Sequence, residues 1–95
     1  MVGLTLTGAH DYGDRGIRVN AVCPGRSRPS AMAPGEIADA ERTKLRLRQI
    51  PMARPGTPRE LAQTAAWLLS DGSSYVTGLI MPVDGGIMAG PYFKM

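Results

Sequence analysis

The sequence predicts an α/β fold with a parallel sheet. Three observations carry this. Helical periodicity over residues 1–14 passes through a short turn into a strand-like run, Ile17 to Val22. A second helical run, opened by Thr57-Pro58-Arg59-Glu60, precedes another strand-like run, Leu79 to Val83. The order helix, strand, helix, helix, strand leaves each strand separated from the next by helix, which is the grammar of a parallel sheet.

Each element has its own physical basis. Val2, Leu6 and Ala9 fall on one face of a 3.6-residue period, although Gly3, Gly8 and Gly13 weaken the helix. Asp14-Arg15-Gly16 stops it, with Gly16 free to take a positive φ. In the first strand Ile17, Val19 and Ala21 alternate with Arg18, Asn20 and Val22, and Cys23 with Pro24-Gly25 ends it. Arg26 to Pro34 is a loop containing Pro29 and Pro34. Glu36 to Gln49 is a charged helix with acids early (Glu36, Asp39, Glu41) and bases late (Arg42, Lys44, Arg46, Arg48), which suits its macrodipole. Its apolar stripe is thin (Ile37, Ala40, Leu45, Leu47), so it belongs on the surface.

Ile50 to Pro58 is a proline-rich connection. Thr57 and Glu60 form a capping box with Pro58 at the first helical position. Leu61, Ala65, Leu68 and Leu69 then make one apolar face, Trp67 adds surface, and Asp71-Gly72 is the stop. Tyr75 to Gly78 is a turn region, Pro82 marks the last strand as an edge, and Asp84-Gly85-Gly86 is a sharp turn before an apolar tail. Two parallel strands are too few for a stable sheet, so further strands are expected from elsewhere.

Composition excludes several function classes. The chain has 95 residues, at most one domain, with 11 Lys plus Arg against 8 Asp plus Glu, a formal charge of +3. Cys23 is the one cysteine and His10 the one histidine, which excludes a disulfide framework and a cysteine- or histidine-rich metal site. No apolar run has membrane-spanning length, and the N-terminus lacks the basic start of a signal peptide; a cytoplasmic protein with no membrane partner is expected. The basic run Arg42 to Arg48 is diluted by neighbouring acids and has no interleaved aromatics, so no nucleic-acid partner is expected.

Several segments together resemble one family. Gly16-Ile17-Arg18-Val19-Asn20-Ala21-Val22-Cys23-Pro24-Gly25 is similar to the stretch that follows the catalytic helix of short-chain dehydrogenases/reductases. Arg54 to Ala62 resembles the start of that family's last long helix, and Trp67 to Asp71, Tyr75 to Gly78 and Val83 to Gly86 continue the match in order.

The resemblance implies the C-terminal part of a Rossmann-like doubly wound sheet, with residues 1–95 a partial single domain and residues 26–50 a substrate lid. It implies NAD or NADP as cofactor and a small-molecule carbonyl or alcohol as substrate. Pro24, Gly25, Ser27 and Ser30 are the implied cofactor-binding residues. The loop departs from the family's Pro-Gly-x-Val-x-Thr pattern. Ser27 stands at the valine place and Pro29, with neither hydroxyl nor N–H, at the threonine place, and Ser30 replaces it if the loop shifts by one residue.

The family's glycine-rich turn and Tyr-x-x-x-Lys motif are absent: none of Tyr12, Tyr75 and Tyr92 has lysine four residues on. No catalytic residue is therefore assigned, and a truncated, inactive oxidoreductase is expected. The alternative is a non-catalytic module that forms homo-oligomers through the 58–71 helix and the last strand. Asn20 and Asp84 read as structural, Cys23 as a packed side chain and His10 as a surface residue.

Overall fold

In a computed structural model, residues 1–25 and 40–90 are described. Helix α1 covers Val2–Tyr12, strand β1 Ala21–Pro24, helix α2 Ala40–Leu47, helix α3 Pro58–Leu68 and strand β2 Ile80–Val83. Short 3-10 turns follow α1, α3 and β2. The two strands pair in parallel, Ala21 opposite Ile80 through Pro24 opposite Val83, and α2 and α3 lie within the crossover that parallel pairing requires. The expected α/β class and element order hold.

α1 ends as expected: Gly16 takes φ 74° and its N–H donates to the Gly13 carbonyl at 3.2 Å. Its buried face differs from the expected one. Thr5 is the buried residue, while Val2 and Leu6 are half exposed. Gly8 explains the rotation: a Cβ there would lie 3.3 Å from a Val19 methyl, so the bare backbone is what approaches the strand lead-in.

β1 starts later and ends later than the alternation suggests. Opposite Val19 lies a turn and not a strand: the Gly78 N–H donates to the Val19 carbonyl at 2.8 Å, and the Val19 N–H donates to Thr77 Oγ1 at 3.1 Å. Cys23 and Pro24 lie inside the strand, because the ladder runs on until the Gly25 N–H donates to Val83 at 3.0 Å. Since Ala21 donates to Leu79 and Gly25 to Val83, the parallel ladder turns the amide of Pro82 away from β1, and proline costs no sheet bond there.

Of the charged helix expected over residues 36–49, residues 36–39 lie outside the described residues, and Arg48 and Gln49 form turns after α2. α3 carries the full capping box: the Glu60 N–H donates to Thr57 Oγ1 at 3.1 Å, and the Thr57 N–H donates to Glu60 Oε1 at 3.0 Å. The helix ends at Leu68, before the expected Asp71-Gly72 stop, so Leu69 leaves the apolar stripe and is 86% exposed. The extended Ser70 backbone, φ -96° and ψ 167°, turns the chain away. Among the described residues Leu68, Ala21 and Ile50 are the buried apolar ones, and Ile50, only 2% exposed, comes from the connection that the sequence marks as proline-rich.

Candidate functional site: the carboxyl ends of the two strands

The adjacent carboxyl ends of β1 and β2 bring Pro24 and Gly25 beside Asp84 and Gly85. Pro24 and Gly25 are both exposed. A Cβ on Gly25 would stand 2.8 Å from the Cα and Cβ of Asp84, so glycine is required there by the neighbouring strand end itself. Ser27 and Ser30, the other expected cofactor contacts, lie outside the described residues.

Asp84 organises the turn after β2. Its Oδ1 accepts from the Gly86 N–H at 2.9 Å and its Oδ2 from the Met88 N–H at 3.1 Å, which is the expected anchoring of backbone donors. Gly85 has φ 68°, and a Cβ there would lie 2.7 Å from Ile50 Cγ2. The Met52 N–H donates to the Gly85 carbonyl at 3.1 Å. The segment leading to α3 is thereby fastened across the turn.

Between these strand ends and the start of α3 lies a cleft of about 120 Å³, with Pro24, Met52, Thr57, Leu61 and Val83 in its wall. On its rim Arg54 holds Glu60 through two hydrogen bonds, Nη1 to Oε1 at 2.8 Å and Nη2 to Oε2 at 2.7 Å. These bonds, with the Thr57 N–H, hold the Glu60 carboxyl down at about 2 and raise Arg54 above its ordinary value. Glu60 is thus a fixed anion and unsuited to exchange protons near neutral pH.

The remaining candidates sort cleanly. Asn20 is structural: its Nδ2 donates to the Val76 carbonyl at 3.0 Å and its Oδ1 accepts from the Leu79 N–H at 3.0 Å. His10 is exposed and Cys23 half-buried. Among the described residues no group of three or more His, Cys, Asp or Glu side chains is placed to hold a metal.

Arg18 and Ser73 escaped the sequence reading. Arg18 Nη1 donates to Ser73 Oγ at 3.0 Å and to the Val76 carbonyl at 3.2 Å, and Nη2 donates to the Ser70 carbonyl at 3.1 Å. Arg18 stands at an alternating polar position of a strand-like run, where an outward, solvated arginine is the ordinary expectation. Its partners lie more than 50 residues away in sequence, so no local signal marks them.

Residues 1–88 match the family model described as enoyl-(acyl carrier protein) reductase. The chain is 47% identical over 91 residues to 3β-hydroxysteroid dehydrogenase 1 of Eggerthella lenta, covering 96% of this chain and 34% of that protein. It is 42% identical over 86 residues to the A-factor type γ-butyrolactone 1′-reductase of Streptomyces virginiae, covering 90% of this chain and 34% of that protein. A crystal structure from Agrobacterium tumefaciens with bound NADP, described as a 2-deoxy-D-gluconate 3-dehydrogenase, superposes with a TM-score of 0.84 at 38% identity. The match covers 94% of this chain and 36% of that one.

The α/β fold with its parallel strand pair is that of Rossmann-fold short-chain dehydrogenases/reductases. The chain belongs to the short-chain dehydrogenase/reductase family and spans about a third of the length of the curated relatives it matches. Among the described residues no helix is long and apolar enough to cross a membrane.

Proposed function

We propose that this chain supplies the nicotinamide-side wall of an NAD(P)-dependent oxidoreductase acting on a small-molecule carbonyl or alcohol. One observation carries the reading: the exposed Pro24-Gly25 backbone lies at the carboxyl end of a parallel strand, where open α/β sheets bind their ligands. The bound nicotinamide supplies or accepts the hydride. Pro24 and Gly25 present backbone to it, Ser27 and Ser30 add polar contacts, and residues 26–50 cover the substrate. The residues present fit one side of such a group and not the whole. The cleft of about 120 Å³ is well below the ~300–1,000 Å³ of ordinary ligand pockets.

A helix-opening glycine-rich turn for the pyrophosphate, and a tyrosine with its lysine for proton exchange, are absent from this sequence. The 95 residues by themselves therefore leave NAD(P)H unconsumed. The test is a chimaera in which residues 1–88 replace the aligned stretch of the Eggerthella lenta relative. Retained NAD(P)-dependent turnover is expected, and a well-folded but inactive chimaera would overturn the reading.

A second reading, homo-oligomerisation through the 58–71 segment and β2, is favoured by the open groove along β2, which is lined by Gln63, Thr64, Trp67, Met81 and Val83. Light scattering that shows only monomer at high concentration rejects it. The lone Cys23 and the absence of any disulfide suit the cytoplasm as its place of action.

A further inference from the structure

One turn receives backbone from both sides of the candidate site. From β1, Gly25 backs directly onto it: a Cβ on Gly25 would stand 2.8 Å from the Cα and Cβ of Asp84, and the Gly25 N–H donates to the Val83 carbonyl at 3.0 Å. From the other side comes the connection that leads into α3. A Cβ on Gly85 would lie 2.7 Å from Ile50 Cγ2, and a Cβ on Gly86 would lie 3.0 Å from Pro51 Cγ. The Met52 N–H donates to the Gly85 carbonyl at 3.1 Å. Packing this close transmits displacement, so a shift of residues 84–86 carries Gly25 with it.

The side chain that fixes this turn is Asp84. Its Oδ1 accepts from the Gly86 N–H at 2.9 Å and its Oδ2 from the Met88 N–H at 3.1 Å. Hydrogen bonds to a carboxylate are stronger than neutral ones. They matter here because Gly85 and Gly86, at φ 68° and 100°, supply little conformational restraint of their own.

We propose that Asp84 is a positioning residue for the bound nicotinamide. Its carboxylate holds the turn, the turn holds Gly25, and the Pro24-Gly25 backbone meets the ring, on the reading that this backbone is the nicotinamide-side wall. Asp84→Asn keeps one acceptor oxygen and turns a donor toward the other N–H, while Asp84→Ala removes both acceptors. A displaced wall loses its contact with the ring and leaves the rest of the dinucleotide to be held by other groups.

Two measurements test this. The first follows amide exchange in the 95-residue chain. Asp84→Asn is expected to speed exchange at Gly25 and Met52 about 10-fold more than at Ala21, whose N–H bonds Leu79 at the other end of the ladder. Equal acceleration at all three sites overturns the coupling of Asp84 to Gly25.

The second uses the chimaera that carries residues 1–88. Asp84→Ala is expected to weaken binding of NAD(P)H about 3- to 10-fold, and Asp84→Asn by less. Binding of ADP-ribose or its 2′-phosphate, which lack the nicotinamide, is expected to stay unchanged. Arg18→Met, in the lead-in to β1 and away from the strand ends, is expected to alter neither affinity. If the alanine variant does not fold, the asparagine variant carries the same comparison. Equal weakening of the dinucleotide and the fragment overturns the positioning role. So does a loss in Arg18→Met as large as that in the Asp84 variants, or unchanged NAD(P)H affinity of those variants in an active chimaera. An inactive unsubstituted chimaera overturns the family reading of the wall instead, and this role of Asp84 with it.

Discussion

Thr57 and Glu60 show local chemistry surviving intact from sequence to structure. Both reciprocal bonds of the capping box form, because each partner lies within one turn and needs nothing from the rest of the molecule. Thr57→Ala is expected to lower stability by about 1 kcal/mol, read as a fall in Tm. Arg54 was legible only as part of a family-like segment; its grip on Glu60 depends on the fold of the connection between them.

The pH dependence of this pair follows from the lowered carboxyl. Glu60 titrates near 2 when folded and at 4.5 when unperturbed, so its stabilising effect is complete above about pH 4.5 and is lost as pH falls toward 2. Glu60→Gln removes that dependence. The stability difference between wild type and variant is expected to shrink across this window and also with added salt, since the pair is exposed. Gly25 is the opposite case: the sequence marks it as a turn residue, but its requirement comes from Asp84, 59 positions away. Gly25→Ala is expected to cost about 1–3 kcal/mol in chemical denaturation, because the added methyl meets backbone that cannot swing aside.

At the scale of elements, periodicity identified the helices and strands in order, and tertiary partners moved their faces and ends. The apolar face of α1 is rotated because Gly8, and not a larger residue, meets Val19. β1 is displaced along the chain because Thr77 and Gly78 bind Val19 as a turn, which leaves the alternating residues before Ala21 without a strand opposite. Arg18 ties this lead-in to the end of α3 through the carbonyls of Ser70 and Val76 and through Ser73, which is 1% exposed. Arg18→Met is expected to cost about 1.5–3 kcal/mol and to speed amide exchange at Gly78, since a buried hydroxyl and two carbonyls lose a charged donor.

At the scale of the whole molecule, the small core and the exposed apolar residues belong together. Among the described residues Ala21, Ile50 and Leu68 are the buried apolar ones, while Val2, Leu4, Leu6, Ile17, Trp67 and Leu69 lie open. A surface of this kind favours association. The isolated chain is therefore expected to scatter light above its monomer mass at micromolar concentration, with Leu4→Glu reducing the excess. The α/β class, the element order and the capped start of α3 were readable in the residues because they depend on local geometry and hydrophobic period. The family was readable because several short segments recur in fixed order, and the comparisons support it. The burial of Ile50, the contact that demands glycine at position 25 and the Arg18 clasp were not readable. Each arises where segments distant in sequence meet at close range, and the shape of that meeting is a property of the packed chain that no local period encodes.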